Sequence, residues 1–244
     1  KNSDVFVKEF ATDRFRSKIV KIPKLLDRFH LWEQFALPHR IFYDKIDVFL
    51  SPAYVAPLIA PCPTVPLIHD ISFQSHPEWF SPKHGAVMRL LTKLTAYRAK
   101  KIITCSTQGK KEMTHYYGNQ VGEKVEVIYW APEEKFQPDH EGIAKTLVEK
   151  KYNIKDPYFL FIGSLFKRRN IPIMLKTFKK ILDKFENYKF VMIGNDSDAP
   201  PTISSIIKSH QLEDKVLHFD YVAEPELLTF LQAAFCFVYL STYE

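Results

Sequence analysis

Short apolar runs alternate with amphipathic segments along the whole chain, and this alternation predicts parallel sheets covered by helices. The second half is the more regular. Its four apolar runs are typical of buried strands and lie at 158–162, 190–193, 216–219 and 235–240. Segments with helical spacing separate them, including 203–210 and 226–234. Four strands and three helices in this order predict a doubly wound, Rossmann-like sheet, in which ligands bind at the carboxyl ends of the strands.

The first half shows the same alternation less regularly. Strands are predicted at 47–50, 64–68, 102–105 and 125–129, and helices over 83–98 and from Ser106 to about Tyr117. Five residues of the first helix share the spacing of one apolar face: Val87, Leu90, Leu91, Leu94 and Tyr97. Residues 130–156 contain no convincing strand and predict a crossover. We therefore expect one α/β domain at 1–137 and a second at 138–244.

The net charge of +6 lies entirely in the first domain, so any anionic partner, such as nucleic acid or a membrane, is expected to bind there. Residues 1–137 hold 20 Lys+Arg and 14 Asp+Glu, whereas residues 138–244 hold 14 of each. The cations are not interleaved with stacking aromatics, which argues against a nucleic-acid binder. Two interpretations stay open, a solvated helix face or peripheral contact with an anionic membrane. The cations concerned are Lys83, Arg89, Lys93, Lys100, Lys101, Lys110 and Lys111.

No apolar stretch approaches the ~18 residues that a membrane-spanning helix requires. The three cysteines, Cys62, Cys105 and Cys236, are far apart and form neither a zinc pattern nor a disulfide framework. We expect them to be buried in a protein of the reducing cytosol. The abrupt ends of the chain further predict an internal piece of a larger enzyme.

The most specific chemical pattern is the segment 161–170, FIGSLFKRRN. A strand ends at Gly163, three cations follow, and a helix is predicted to begin near Asn170. Glycine permits a tight turn, a helix N-terminus attracts anions, and arginine donates two parallel hydrogen bonds to phosphate oxygens. The pattern predicts a diphosphate site, and a solvated basic turn is the alternative.

Three further residues lie at predicted strand ends. Gly194 follows the next strand of the same sheet and should lie beside the Gly163 turn. His69 follows the strand 64–68, where it points into a cleft or is a hydrogen-bonded structural histidine. Glu244 follows the last strand, where it binds sugar hydroxyls or complements a helix dipole.

Four collinear stretches together resemble the retaining glycosyltransferases of GT-B architecture, group 1 or family 4 type. They are HDISFQSHPEWF at 69–80, RAKKIITCS at 98–106, FIGSLFKRRNI at 161–171 and FCFVYLSTYE at 235–244. The second is similar to the family's R-A-D-x-I-I-A-V-S, and the third is similar to V-G-S-L-x-P-R-K-N-L. The fourth resembles the approach to the family's E-x7-E motif. The resemblance implies two Rossmann-like domains facing across a cleft, both incomplete here. The first would be the acceptor-side domain, lacking its first strand and glycine-rich loop, and the second the nucleotide-sugar-binding domain.

The resemblance also implies roles for individual residues. Arg168 and Arg169 would hold the donor diphosphate, and Gly163 would admit it. Gly194 would lie on the nucleobase side, as would Tyr221 with Val222. His69 would reach the transferred sugar, and Glu244 would be the first glutamate of E-x7-E.

Two positions depart from the family pattern. Arg169 stands where lysine is usual, and the crossover reads VIYWAPE at 127–133 where Val-Ile-Pro-Asn-Gly-Val-Asp is common.

The implied reaction moves a sugar from a nucleoside-diphosphate sugar to an acceptor hydroxyl, with retention. It would need no cofactor and no metal, and Asp196-Ser197-Asp198 is interpreted as a loop and not as a metal site. The resemblance implies a cytoplasmic enzyme of hexosyltransferase type, in polysaccharide, lipopolysaccharide or glycolipid synthesis, with a carbohydrate or lipid-linked acceptor. We expect the chain alone to be inactive. The alternative is a non-catalytic sugar-nucleotide-binding fragment or pseudoenzyme.

Overall fold

The computed structural model describes residues 31–196 and 202–243. The chain divides into two compact units, Lys1–Trp130 and Ala131–Glu244. The boundary that the sequence suggested, after residue 137, falls inside the second unit. Within the described residues no helix combines the length and the apolar character needed to cross a bilayer.

The described part of the first unit is built around short parallel strands. These are β1 (Phe49–Ser51), β2 (Thr64–Pro66), β3 (Ile102–Thr104) and β4 (Val125–Val127). β1 pairs with β2 and β3 pairs with β4, and a parallel bridge between Leu67 and Ile103 joins the two pairs. All four predicted strands are confirmed, although each is shorter than the apolar run that predicted it.

Five α-helices accompany these strands in the described part of the unit. They are α1 (Leu37–Tyr43), α2 (Ser72–Ser75), α3 (Pro82–Arg98), α4 (Thr107–Tyr117) and α5 (Asn119–Gly122), with a π-helical turn at Trp32–Ala36 and a 3-10 turn at Pro77–Trp79. The side chain of Ser106 accepts a hydrogen bond from the Gly109 N–H and caps α4, at the residue where this helix was predicted to begin.

The buried face of α3 is not the apolar one that the spacing indicated. Its buried residues are Gly85, Met88, Thr92, Thr95 and Ala96. Leu90 is 59% exposed, and Leu94 and Tyr97 are also exposed. Small residues allow the helix to pack closely, and the Thr95 hydroxyl accepts a hydrogen bond from the buried Ala56 N–H.

The second unit contains one parallel sheet. Its strands are β5 (Tyr158–Ile162), β6 (Lys189–Ile193), β7 (Val216–Phe219) and β8 (Cys236–Phe237), in the order β7-β6-β5-β8. The described helices are α6 (Ile143–Tyr152), α7 (Ile171–Leu182), α8 (Ile203–Ser209) and α9 (Glu224–Ala233), with a 3-10 turn at Lys167–Arg169. This order, in which the first strand lies between the second and the fourth, confirms the predicted Rossmann-like fold.

Hydrophobic cores cover both faces of this sheet, because alternate strand residues point to opposite sides. Phe161, Phe190 and Met192 pack with α7 and α8, whereas Leu160 and Val191 pack on the opposite face. The continuous apolar runs of the strands follow from this two-sided burial.

The predicted buried strand at 235–240 is wrong in extent and in burial. Only Cys236 and Phe237 pair with β5, and both are exposed, as are Phe235 and Leu240. β8 lies at the edge of this sheet, and among the described residues β5 is the strand that pairs with it. The expected burial of the cysteines is also wrong, because Cys236 is exposed and the other two are partly exposed.

Candidate functional site

The turn that follows β5 carries the cations of the predicted diphosphate site. Gly163 has φ +145°, which residues with a side chain rarely adopt, and its N–H donates to the Ile193 carbonyl at 2.9 Å. Lys167–Arg169 form a 3-10 turn, Asn170 is left-handed with φ 54°, and α7 begins at Ile171. The chain therefore passes from strand to helix through a glycine and three cations, as predicted.

A second glycine turn, after β6, packs directly against the first. A Cβ placed on Gly194 would lie 1.9 Å from the Gly163 carbonyl oxygen, and Gly194 has φ +154°. The Leu165 N–H donates to the Asn195 carbonyl at 3.2 Å, which links the same two turns. The predicted adjacency of the turns is confirmed.

Positive charge is concentrated where α7 begins. The first turn of this twelve-residue helix contains no acidic residue, so its N-terminal dipole is not offset locally. The Arg168 guanidinium lies 4.9 Å from the centroid of the Phe166 ring, in cation–π geometry. A strand-end turn with these features is suited to an anion such as a phosphate.

The segment that follows β8 holds this basic turn in place. The Asn170 side-chain amide donates to the Leu240 carbonyl at 2.8 Å, and the Thr242 N–H donates to the Arg168 carbonyl at 3.0 Å. These bonds connect the two strand ends at the level of the backbone.

The side chain of Arg169 joins the same connection. Its guanidinium lies 4.6 Å from the centroid of the Tyr239 ring, and its Nη1 donates to Ser241 Oγ at 3.1 Å. Partial burial lowers the pKa of the Arg169 guanidinium from its usual value. The electrostatic interaction with Tyr239 raises this pKa, and the positive charge of Arg168 lowers it further. The residue stays charged, because arginine remains protonated even after such a change.

Sequence reasoning missed Tyr239 and Ser241. A signal was available, because the strand order of a doubly wound sheet places the fourth strand beside the first. The residues after β8 must then meet the turn after β5.

The two residues predicted for the nucleobase side differ in accessibility. Tyr221 is 82% exposed and follows β7 at the same sheet edge. Val222 is 5% exposed and belongs to the hydrophobic core, so only its backbone is available to a ligand. Their contact with a nucleobase stays a prediction.

In the first unit, His69 follows β2 and is half-buried between two aromatic rings. Its ring centroid lies 5.6 Å from that of Tyr54 and 4.7 Å from that of Trp130, both edge to face. The Tyr54 hydroxyl donates to Asp70 Oδ2 at 3.0 Å, and the Ser72 N–H donates to Asp70 Oδ1 at 2.8 Å. The imidazole is thus held at the carboxyl end of a parallel strand, where the sequence placed it.

Of the two acidic residues singled out in the sequence, Glu244 and Asp196, the structure describes only Asp196. Glu244 lies outside the described residues. Asp196 Oδ2 accepts the Ile203 N–H at 2.7 Å and so satisfies a donor at the start of α8, which agrees with the predicted loop role. Among residues 31–196 and 202–243 no cluster of three or more His, Cys, Asp or Glu side chains could hold a metal ion.

Solved structures of similar fold provide an independent comparison. Anabaena Alr3699/HepE, in complex with UDP and glucose, superposes with a TM-score of 0.67 at 17% identity, covering 88% of this chain and 59% of that one. WaaG, a glycosyltransferase involved in lipopolysaccharide biosynthesis, superposes with a TM-score of 0.68 at 12% identity, covering 93% of this chain and 61% of that one. The fold is therefore that of the GT-B glycosyltransferases, and the chain spans 59% and 61% of the length of these two structures.

The sequence comparisons agree with the fold. Residues 144–244 match the family model of the glycosyl transferases group 1. An uncharacterized glycosyltransferase of Methanocaldococcus jannaschii is 24% identical over 152 residues, which cover 61% of this chain and 36% of the relative. This match over residues 144–244 agrees with the resemblance to the group 1 glycosyl transferases that the sequence suggested.

Proposed function

We propose that the whole protein is a retaining glycosyltransferase that moves a hexose from a nucleoside-diphosphate sugar to an acceptor hydroxyl. The observation that carries this proposal is the basic turn between Gly163 and Asn170, packed against the Gly194 turn at the carboxyl edge of the sheet. The chain spans 59% of the length of the Anabaena protein, so the activity is proposed for the full-length protein.

The chemistry follows from the charge at this turn. When the bond between the sugar and the diphosphate breaks, the electron pair stays on the diphosphate, and the sugar approaches an oxocarbenium ion. Arg168, Arg169 and the N-terminus of α7 stabilise the charge that develops, and each well-placed donor lowers the barrier by about 3 kcal/mol. Their effect is larger in the transition state than in the bound donor, which is the condition for catalysis.

This role for the arginines supports a reaction without a metal or a cofactor. Guanidinium groups supply the charge compensation that a divalent cation provides in other transferases, and the Asp196 carboxylate accepts a hydrogen bond from the Ile203 N–H at the start of α8. Unchanged turnover in the presence of EDTA is the expected result, and loss of turnover that Mg²⁺ restores would contradict it.

The neighbours suggest the class of donor and acceptor. The Anabaena structure contains UDP and glucose, and WaaG takes part in lipopolysaccharide biosynthesis. By analogy with these two proteins, we propose a nucleotide-sugar donor for the present protein. We further propose a carbohydrate or lipid-linked acceptor in polysaccharide, lipopolysaccharide or glycolipid synthesis. His69 then acts on the transferred sugar, Gly194, Tyr221 and the Val222 backbone lie on the nucleobase side, and Glu244 is the first glutamate of E-x7-E.

An acceptor of this kind fits a protein that works in the cytoplasm at the inner face of a membrane. The exposed face of α3 combines Leu90, Leu94 and Tyr97 with the exposed Lys83 and Lys93. Apolar side chains flanked by lysines suit a surface of anionic lipid.

Three other cations of the basic half are engaged within the protein. Arg89 Nη1 donates to the Phe73 carbonyl, Lys101 pairs with Glu126, and Lys110 donates to the Val125 carbonyl. The membrane proposal therefore rests on α3 and not on the net charge.

The proposed function is tested with the full-length protein in two steps. A thermal-shift screen against UDP, ADP and GDP and their glucose derivatives identifies the donor, and proton NMR of the product then gives the anomeric configuration. Stabilisation by a nucleotide sugar, with transfer and retention, is expected. Binding without transfer would favour the non-catalytic alternative, and no stabilisation by any nucleotide would overturn the assignment.

A further inference from the structure

The Arg169 side chain is anchored to the core of the second unit through a column of rings. Its guanidinium lies over Tyr239, and Tyr239 is stacked on Phe161 with ring centroids 5.7 Å apart and planes 15° apart. Phe161 is fully buried in β5, one residue before the strand ends. A flexible arginine is thereby tied to a rigid part of the fold.

Ser241 connects the same guanidinium to the segment that leads into residue 244. Its Oγ accepts from Arg169 Nη1 at 3.1 Å and donates to the Tyr243 carbonyl at 2.8 Å. A hydroxyl has one proton and two lone pairs, so both bonds can exist together. The Tyr243 carbonyl belongs to the peptide bond that enters Glu244, and the cation and that peptide bond are therefore linked through one side chain.

We propose that Tyr239 and Ser241 are positioning residues that hold Arg169 for the donor diphosphate and couple the basic turn to the approach to Glu244. This inference rests on the proposed function and goes beyond it, since it assigns roles to two residues outside the basic turn. Arginine has many rotamers, and fixing it before binding removes that entropic cost from the binding step. The planar guanidinium can stack on a ring and donate sideways at once, which the lysine usual at this position cannot do.

The first measurement compares variants of the ring in the full-length protein. The probe is whichever of UDP, ADP and GDP binds the wild type most tightly, titrated by calorimetry. Tyr239→Leu removes the ring face and is expected to raise the Kd about tenfold, whereas Tyr239→Phe keeps the face and should stay within about twofold. Phe136→Leu is the matched control, because it removes another ring beside a cation, with Lys135 Nζ 5.5 Å from the ring centroid.

The second measurement asks whether Tyr239 acts through Arg169. In an Arg169→Ala background, Tyr239→Leu should cause no further loss of diphosphate affinity, since the group that it positions is gone. The corresponding free nucleoside, which lacks phosphates, should bind all variants alike.

Ser241 is tested in the same way. Ser241→Ala removes the acceptor for Arg169 and should weaken diphosphate binding, and Ser241→Thr, which keeps a hydroxyl, should restore it. Thermal unfolding of each variant confirms that the fold is retained.

Different results would contradict the proposed function and the positioning role of Tyr239 and Ser241. If the wild type binds no nucleoside diphosphate, the proposed function falls. If the wild type binds one but the losses from Tyr239→Leu and Arg169→Ala are additive, or if nucleoside binding falls in parallel, the positioning role is refuted and the proposed function stands.

Discussion

Gly194 lies so close to Gly163 that even one additional carbon on it would overlap the neighbouring backbone. A Cβ on Gly194 would lie 1.9 Å from the Gly163 carbonyl oxygen and 2.6 Å from its carbonyl carbon. The two turns at the ends of β5 and β6 therefore fix each other's position, and the cations that follow Gly163 depend on this contact.

Gly194→Ala should lower both stability and donor affinity. The added methyl group must displace the Gly163 turn, and we expect the free energy of unfolding to fall by at least about 2 kcal/mol. Urea unfolding measures this change. Gly142→Ala is the control, because Gly142 also has a positive φ, of 72°, but no atom lies within 4 Å of its added Cβ. Equal losses in the two variants would mean that backbone conformation, and not the close approach, explains the effect.

Arg168→Ala should lower turnover of the full-length enzyme at least about a hundredfold, because a charge-stabilising donor is lost from the transition state. Arg168→Lys should recover part of the rate, since it keeps the charge without the fork geometry. Initial rates at saturating donor measure the effect. Lys176→Ala removes an exposed cation from α7, the helix that follows the turn carrying Arg168, and serves as the control. Near-normal turnover of Arg168→Ala would refute the role.

His69→Ala should lower kcat by about a hundredfold while the Kd of the nucleoside diphosphate stays unchanged, because in the proposed function the imidazole acts on the sugar and not on the diphosphate. Steady-state kinetics and calorimetry separate the two quantities. His115→Ala, at an exposed position on α4, is the control. A purely structural histidine would give a lower melting temperature with little loss of kcat in the protein that remains folded.

Substitution of Leu90 and Leu94 by serine should strongly weaken binding to vesicles that contain phosphatidylglycerol. The apolar face of α3 is lost while its lysines stay, so residual charge alone gives weaker binding. Flotation with and without the anionic lipid measures this. Ile173→Ser removes an exposed apolar residue from α7 in the other unit and should have no effect. Wild-type protein that floats with neither vesicle would end the membrane proposal.

Two buried tyrosines should respond oppositely to loss of their hydroxyl groups. Burial raises the pKa of both phenols above the usual value. The Tyr158 hydroxyl donates to the Phe230 carbonyl at 2.8 Å, whereas the Tyr117 hydroxyl has no hydrogen-bond partner within the described part of the chain. Tyr158→Phe should cost about 1 kcal/mol of unfolding free energy, and Tyr117→Phe should cost nothing or stabilise. Thermal unfolding of the two variants makes the comparison, and destabilisation by Tyr117→Phe would reveal a hydrogen bond to buried water.

The fold was predictable where burial on both faces leaves no alternative to a strand. β5, β6 and β7 appear within one residue of their apolar runs, and the basic turn follows β5 as the sequence indicated. The face of α3 was not predictable from spacing. Its orientation depends on small residues and on the bond between Thr95 and Ala56, which involves residues 39 positions apart.

The candidate site was predictable only in its local parts. A glycine, cations and a helix start are visible in a single segment, so the turn at 163–170 could be proposed directly. The contacts of Arg169 with Tyr239 and Ser241 depend on which strands are neighbours and on how the chain leaves β8. Such contacts between distant segments are set by tertiary packing and leave no periodic pattern.

The bonds between the 168–170 turn and the residues after β8 join parts of the chain that are 70 to 74 positions apart. Closing a loop of that length is slow compared with forming a local turn. During synthesis the arginines emerge from the ribosome well before the residues that fix them. The contacts that hold Arg169 at the proposed diphosphate site therefore form only after β8 docks, and a nascent chain that ends before Tyr239 should bind nucleoside diphosphate more weakly.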